Sequence, residues 1–203
     1  LAIEYAYRNA EDQKHYERVL WVRADAEELL RSEFAGLATL LDIEEKARAE
    51  PELRIEGVRR WLTEKSGWLL IIDSAEGRAG GAFDQSVRAM LAKLLPQASL
   101  GRLPEDHVLF RSFYLLRVPV GRVIALPYVE AVQLRGRTAI VYSQNDLGGA
   151  WARDRFGQWL YDVVPGGEVQ REQSLRLGVN LAMYALCLDY KADQVHVPFI
   201  MRR

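Results

Sequence analysis

Ser143, Asn145 and Asp146 follow the β-type run Thr138 to Tyr142, so a hydroxyl, an amide and a carboxylate arrive together at the end of a strand. That edge is where α/β proteins commonly hold ligands. Ser143 is a candidate nucleophile and Asp146 a candidate acid or base, although the segment lacks the G-x-S-x-G elbow of an esterase. The competing reading is a turn that Asn145, Asp146 and Gly148 build through side-chain to backbone hydrogen bonds. The turn is favoured over catalysis, and ligand contact is left open.

Asp73 poses a similar choice at the end of the apolar run Leu69 to Ile72. An aspartate there could face the magnesium of a bound nucleotide, and Gly77, Gly80 and Gly81 could cradle an anion with their backbone N–H groups. The bland alternative is a carboxylate that caps a turn or helix. No Gly-Lys dipeptide occurs anywhere in the chain, so the phosphate-binding P-loop is absent and capping is expected. Asp73, Gly80 and Gly81 stay with Ser143, Asn145 and Asp146 as ligand-binding candidates.

Two acid and imidazole pairs, Asp106-His107 and Asp193-x-x-His196, could supply general acid/base chemistry or metal ligands. Alternation sets His196 opposite Val195 and Val197, which suits a solvent-facing position equally well, and no metal site is expected. Trp151 and Trp159 could stack on a ligand, but large aromatics more often complete a core. The single cysteine, Cys187, lies between Leu186 and Leu188 and reads as a buried, inert thiol; it excludes an intrachain disulfide.

The elements that must position these groups follow from patterning. A chain of 203 residues, 49% hydrophobic, can bury one sizeable core or two small ones. The net charge of −1 leaves no electrostatic footprint for nucleic acid, and no apolar run is long enough to span a bilayer. Arg18 to Ala24 reads as a strand, and Asp25 with Glu28 as a capping box opening a helix with Leu29, Leu30, Phe34, Leu37, Leu40 and Leu41. A second apolar stripe, Ile55, Val58, Trp61 and Leu62, leads through Gly67 into the strand Trp68 to Ile72. Phe83 to Leu95 reads as a helix capped by Asp84, Val129 to Leu134 and Thr138 to Ser143 as a hairpin through Arg135-Gly136-Arg137. The spacing predicts a last long helix over Gln173 to Leu186 with Leu175, Val179, Ala182, Met183 and Leu186 inward, then a closing strand around Val195, Val197 and Phe199. The order predicts an α/β fold, one layered unit with a mostly parallel sheet and a hairpin-containing C-terminal part. A start at Leu1 without methionine suggests a fragment, and with no signal peptide in view the default compartment is cytoplasmic.

Two resemblances meet at Trp68 to Ile72. LAIEYAYR, VLWVRAD, the helix ending in WL and GWLLIID make residues 1–76 similar to part of a STAND or NB-ARC-type NTPase without its Walker A loop; that implies ATP or ADP with magnesium at Asp73, the Walker B position. LLIID, FDQSVRAMLAKLLP, LPEDHVLFRSFYLL, RTAIVYSQNDLGGAW, LRLGVNLAMYALC and DYKADQVHVPFIMRR make residues 67–203 resemble DUF4159, an uncharacterised bacterial domain grouped with class I glutamine-amidotransferase-like folds. The second resemblance covers more of the chain and implies an amidotransferase-like or flavodoxin-like sheet. Its fold group would hold a cysteine nucleophile on a tight strand-to-helix turn, and no cysteine stands in such a setting here. The expected function is therefore a non-catalytic ligand-binding or interaction domain without a cofactor, taking an unknown small ligand or protein partner. The alternatives are a fragment of a STAND-type ATP/ADP-binding regulator and a hydrolase using Ser143.

Overall fold

The computed structural model describes residues 16–23, 27–43, 50–73, 80–96 and 98–186. LAIEYAYR, the Asp25 cap, Gly77, Cys187, His196 and the expected closing strand lie outside them. Strand β1 (Arg18–Arg23) is followed by helices α1 (Glu27–Leu40) and α2 (Pro51–Glu64), then β2 (Trp68–Asp73) and α3 (Ala82–Leu94). After β3 (Gly101–Arg102) and a 3-10 turn (Val108–Arg111) come β4 (Glu130–Leu134), β5 (Arg137–Ser143), the short α4 (Leu147–Trp151) and the long α5 (Gly167–Leu186).

All six residues of β2 are buried, as expected of an apolar run covered on both faces. It pairs in parallel with β1 on one side and β5 on the other, giving one sheet in the order β1-β2-β5-β4-β3 with the last two strands antiparallel to their neighbours. The register sets Arg23, Asp73 and Ser143 side by side at the carboxyl edge. Side chains alternate across the sheet. Leu70 and Ile72 pack with Leu30, Phe34 and Leu37 of α1, Val58 and Leu62 of α2, and Val87 and Leu91 of α3. Leu69, Ile71 and Val141 pack on the other face with Leu177, Leu181 and Tyr184 of α5 and with Leu109 and Phe110. Helices thus cover both faces, the three-layer solution that a two-sided apolar strand requires. No helix among the described residues is long and apolar enough to cross a membrane.

Two details depart from the sequence reading. Gly81, not Asp84, is the N-cap of α3, and Asp84 reaches back from the first turn to accept from Gly80 N at 3.2 Å. Helix α5 starts at Gly167, and its buried face is Gln170, Arg171, Ser174, Leu177, Asn180, Leu181, Tyr184 and Ala185. Leu175, Val179 and Leu186 are exposed instead. The inward polar residues win because each has a hydrogen-bond partner, Gln170, Arg171 and Asn180 with backbone carbonyls outside the helix and Ser174 with Trp151 Nε1 of α4, so burial costs them little. The segment 144–167 contains one helical turn, α4, too short to show a period.

The loop before β4 runs close under the carboxyl edge. Arg122 N and Val123 N donate to Asp146 O and Asn145 O at 2.8 and 3.2 Å, and a Cβ on Gly121 would overlap the Asn145 carbonyl. Gly121→Ala is expected to cost about 3 kcal/mol through forced backbone shifts. Gly36→Ala, on α1 where an added methyl meets nothing within 4 Å, is expected to gain about 0.5–1 kcal/mol from helix propensity. Urea denaturation of the two variants reads the opposite signs.

Candidate functional site

Asp73 is buried at the end of β2, yet its carboxylate is engaged. Leu147 N donates to Oδ1 at 2.9 Å and Gly148 N to Oδ2 at 2.6 Å. These are orphan amides of the first turn of α4, so the carboxylate closes the start of that helix from a neighbouring strand. A Cβ on Gly148 would lie 3.2 Å from Asp73 Oδ2, which makes glycine the comfortable residue there.

Asp146 is the N-cap of α4 and sits in the left-handed region, φ 56° and ψ 69°. Aspartate tolerates that conformation because its short carboxylate bonds locally, here accepting from Gly149 N at 2.8 Å. Arg122 forms an ion pair with the same carboxylate, and Gly149 is required because any Cβ there would overlap it. Ser143 is fully buried and its Oγ accepts from Asn145 N at 3.2 Å. Asn145, also fully buried, donates through Nδ2 to Pro119 O and Leu126 O at 2.9 and 2.8 Å and accepts at Oδ1 from Ala125 N and Leu126 N at 2.9 and 3.0 Å. Its amide is saturated by backbone.

The structure therefore brings Asp73, Ser143, Asn145 and Asp146 together at one edge, each with an internal partner. Gly80 is exposed on the opposite face of the sheet, beside a second polar cluster that sequence inspection missed. There Arg88 bridges two buried carboxylates, with Nε 3.0 Å from Asp84 Oδ1 and Nη2 2.6 Å from Glu130 Oε2. Tyr142 OH and Gln144 Nε2 donate to Asp84 Oδ1 at 3.3 and 3.2 Å. Burial, with the Asp84 charge adding to it, pushes the Tyr142 phenol above its usual range; the bonds to Glu130 and Asp84 hold Arg88 charged. The spacing of Asp84 and Arg88, four residues apart on one helix, was the available signal; Glu130 and Arg122 carry none.

His107 lies elsewhere. Its Nδ1 accepts from Leu109 N at 3.2 Å as the cap of the 3-10 turn, its Nε2 is 3.3 Å from Thr138 Oγ1, and its ring meets Tyr184 edge-on. Thr138 is near the amino end of β5 and Ser143 ends it, five residues and about 16 Å away at the strand rise. Serine and this imidazole cannot form a catalytic pair across that distance. Trp151 packs on Trp21 and donates to Ser174 Oγ at 2.9 Å, and Trp159 lies between the guanidinium groups of Arg153 and Arg171. Among the described residues no three His, Cys, Asp or Glu side chains gather as metal ligands.

A family model described as a domain of unknown function, DUF4159, matches residues 40–186, from the last residue of α1 to the last of α5. No curated protein matches the chain.

Burial lowers the proton affinity of His107 below the ordinary imidazole value. The unfolded chain then binds the proton more readily, so the His107 contribution is present above about pH 6.5 and is lost as pH falls through the lower folded value. His107→Asn keeps an acceptor for Leu109 N and removes the titration. Unfolding free energies measured from pH 7.5 to 5.5 should show a shallower decline for the variant than for the wild type.

Proposed function

The chain belongs to the DUF4159 family of domains of unknown function, and we propose that it acts as a non-catalytic ligand-binding or interaction module on an amidotransferase-like α/β fold. One observation carries this reading. The tight strand-to-helix turn after β5, where such a fold would hold its nucleophile, presents Asp146 with its carboxylate tied to Arg122 and Gly149 N. The two amides that follow, which could otherwise stabilise an oxyanion, donate to Asp73. Ser143 beside them is enclosed, with no described imidazole in reach. In this reading Asp73, Ser143, Asn145 and Asp146 hold the edge in shape, and Gly80 and Gly81 are the accessible members of the candidate set.

A second reading, an ATP- or ADP-binding regulator of STAND type, draws support from β1, α1, α2 and β2, which follow one another as strand, helix, helix and strand with β1 parallel to β2. On this view segments 1–76 and 67–203 share the strand at 68–72, and β2 pairing with both β1 and β5 fits one unit. The use of the Asp73 carboxylate by two backbone amides weighs against a magnesium role. Calorimetry with ADP and ATP in magnesium separates the two, since micromolar binding would favour the regulator. For the leading reading, glutamine hydrolysis and a panel of ester and amide substrates should show no turnover. Turnover that disappears in Ser143→Ala or Asp146→Asn would overturn it.

A further inference from the structure

At the opposite edge of the sheet from Asp73 and Asp146 lies a groove of about 950 Å³, between the end of α2, the end of α3 and the β4–β5 turn. Leu62, Trp68, Leu95, Leu134 and Ala139 give it an apolar floor, and Arg59, Lys65, Arg135 and Arg137 line it with positive charge against one carboxylate among the described residues, Glu17. In a chain of net charge −1, four cations around one groove are a local concentration. Arg59 has only the exposed Glu56 at 3.5 Å, and Lys65, Arg135 and Arg137 make no ion pair among the described residues.

Two features show a prepared site. Trp68 Nε1 donates to both Leu62 O and Lys65 O at 3.1 Å, pinning the end of α2 to β2 so that one wall is fixed without ligand. The β4–β5 hairpin turns through Arg135 and Gly136 at φ 52° and 77°, a two-residue turn whose first position favours asparagine or glycine. An arginine held in the left-handed region on the groove rim is a strained choice for the turn, and strain of this kind gathers at ligand sites.

We propose that this groove binds an amphiphilic organic anion, a carboxylate or phosphate ester on an alkyl or aromatic body, with the body on the Leu62–Trp68–Leu95 floor and the anion among Arg135, Arg137 and Lys65. The concavity and volume suit one small molecule. The apolar floor supplies burial and the guanidinium groups supply paired donors to an oxyanion. This site is separate from the carboxyl edge: hydrolase activity there would overturn the reading above and leave this inference standing.

The test is calorimetry of the full chain with dodecyl phosphate below its micelle concentration, beside inorganic phosphate, dodecanol and phosphatidylglycerol vesicles. One-to-one micromolar binding of dodecyl phosphate is expected, with the headless and tailless probes each at least about tenfold weaker. Arg135→Asn installs the Asn-Gly turn and should raise Tm while weakening dodecyl phosphate; paired with Arg137→Gln the loss should reach about tenfold or more. The rise in Tm keeps that loss from being a folding defect. Absence of binding, equal binding by the double variant, or equally tight dodecanol would overturn the proposal; binding to vesicles but not to the monomer would replace it with a lipid surface.

Discussion

Everything at the carboxyl edge depends on one buried carboxylate meeting two backbone amides. Asp73 ends a strand enclosed on both faces, where an unpaired charge would cost several kcal/mol, and Leu147 N and Gly148 N supply charge-assisted bonds that offset the cost. The same contact gives α4, a helix of five residues that could not persist alone, a fixed start. Because β2 and β5 are in register at Asp73 and Ser143, the carboxylate also fixes where β5 must stop and turn. Asp146 then adopts its left-handed conformation, Gly148 and Gly149 leave room for two carboxylates, and Asn145 is delivered to the loop it clamps.

That loop illustrates how the chain solves a wider problem. Residues 103–129 and 152–166 contain little regular structure, and their buried peptide groups need partners. Side chains provide them. Asn145 binds Pro119, Ala125 and Leu126; Asn180 donates to Leu109 O and Tyr114 O and accepts from the amides of Phe113 and Tyr114. Gln170 donates to Gly121 O and Val164 O, and Arg171 to Ala150 O and Tyr161 O. Each amide side chain presents donor and acceptor together and so takes the place of a neighbouring strand. At the carboxyl edge the donors and acceptors of the Asn145 amide are all taken up in this way.

How much of this was legible depended on whether the cause was local. The parallel strands were readable because Leu69 to Ile72 is too short and too uniformly apolar for a helix, and the hairpin because Arg135-Gly136 separates two alternating runs. The inward face of α5 was not. Apolar periodicity selected Leu175, Val179 and Leu186, while the buried positions are held by Gln170, Arg171 and Asn180, whose bonds reach partners up to 71 residues away. Asp73 was legible as a cap but not as a cap for a helix 74 residues downstream. Asp73 and Ser143 were each readable as the end of a strand, but the strand order that sets them side by side was not, and Arg122, Glu130 and the groove at the far edge likewise arise only when distant segments meet.

The account stands on Asp73 being structural in the unliganded protein. Urea unfolding of the wild type, Asp73→Asn and Asp73→Ala, without nucleotide or magnesium, tests this most directly. Asparagine keeps one acceptor and should cost about 1–3 kcal/mol, and alanine, leaving both buried amides unpaired, should cost more. Unchanged or increased stability in both variants, together with a magnesium-dependent gain seen only in the wild type, would contradict the account and return Asp73 to the role of a metal ligand.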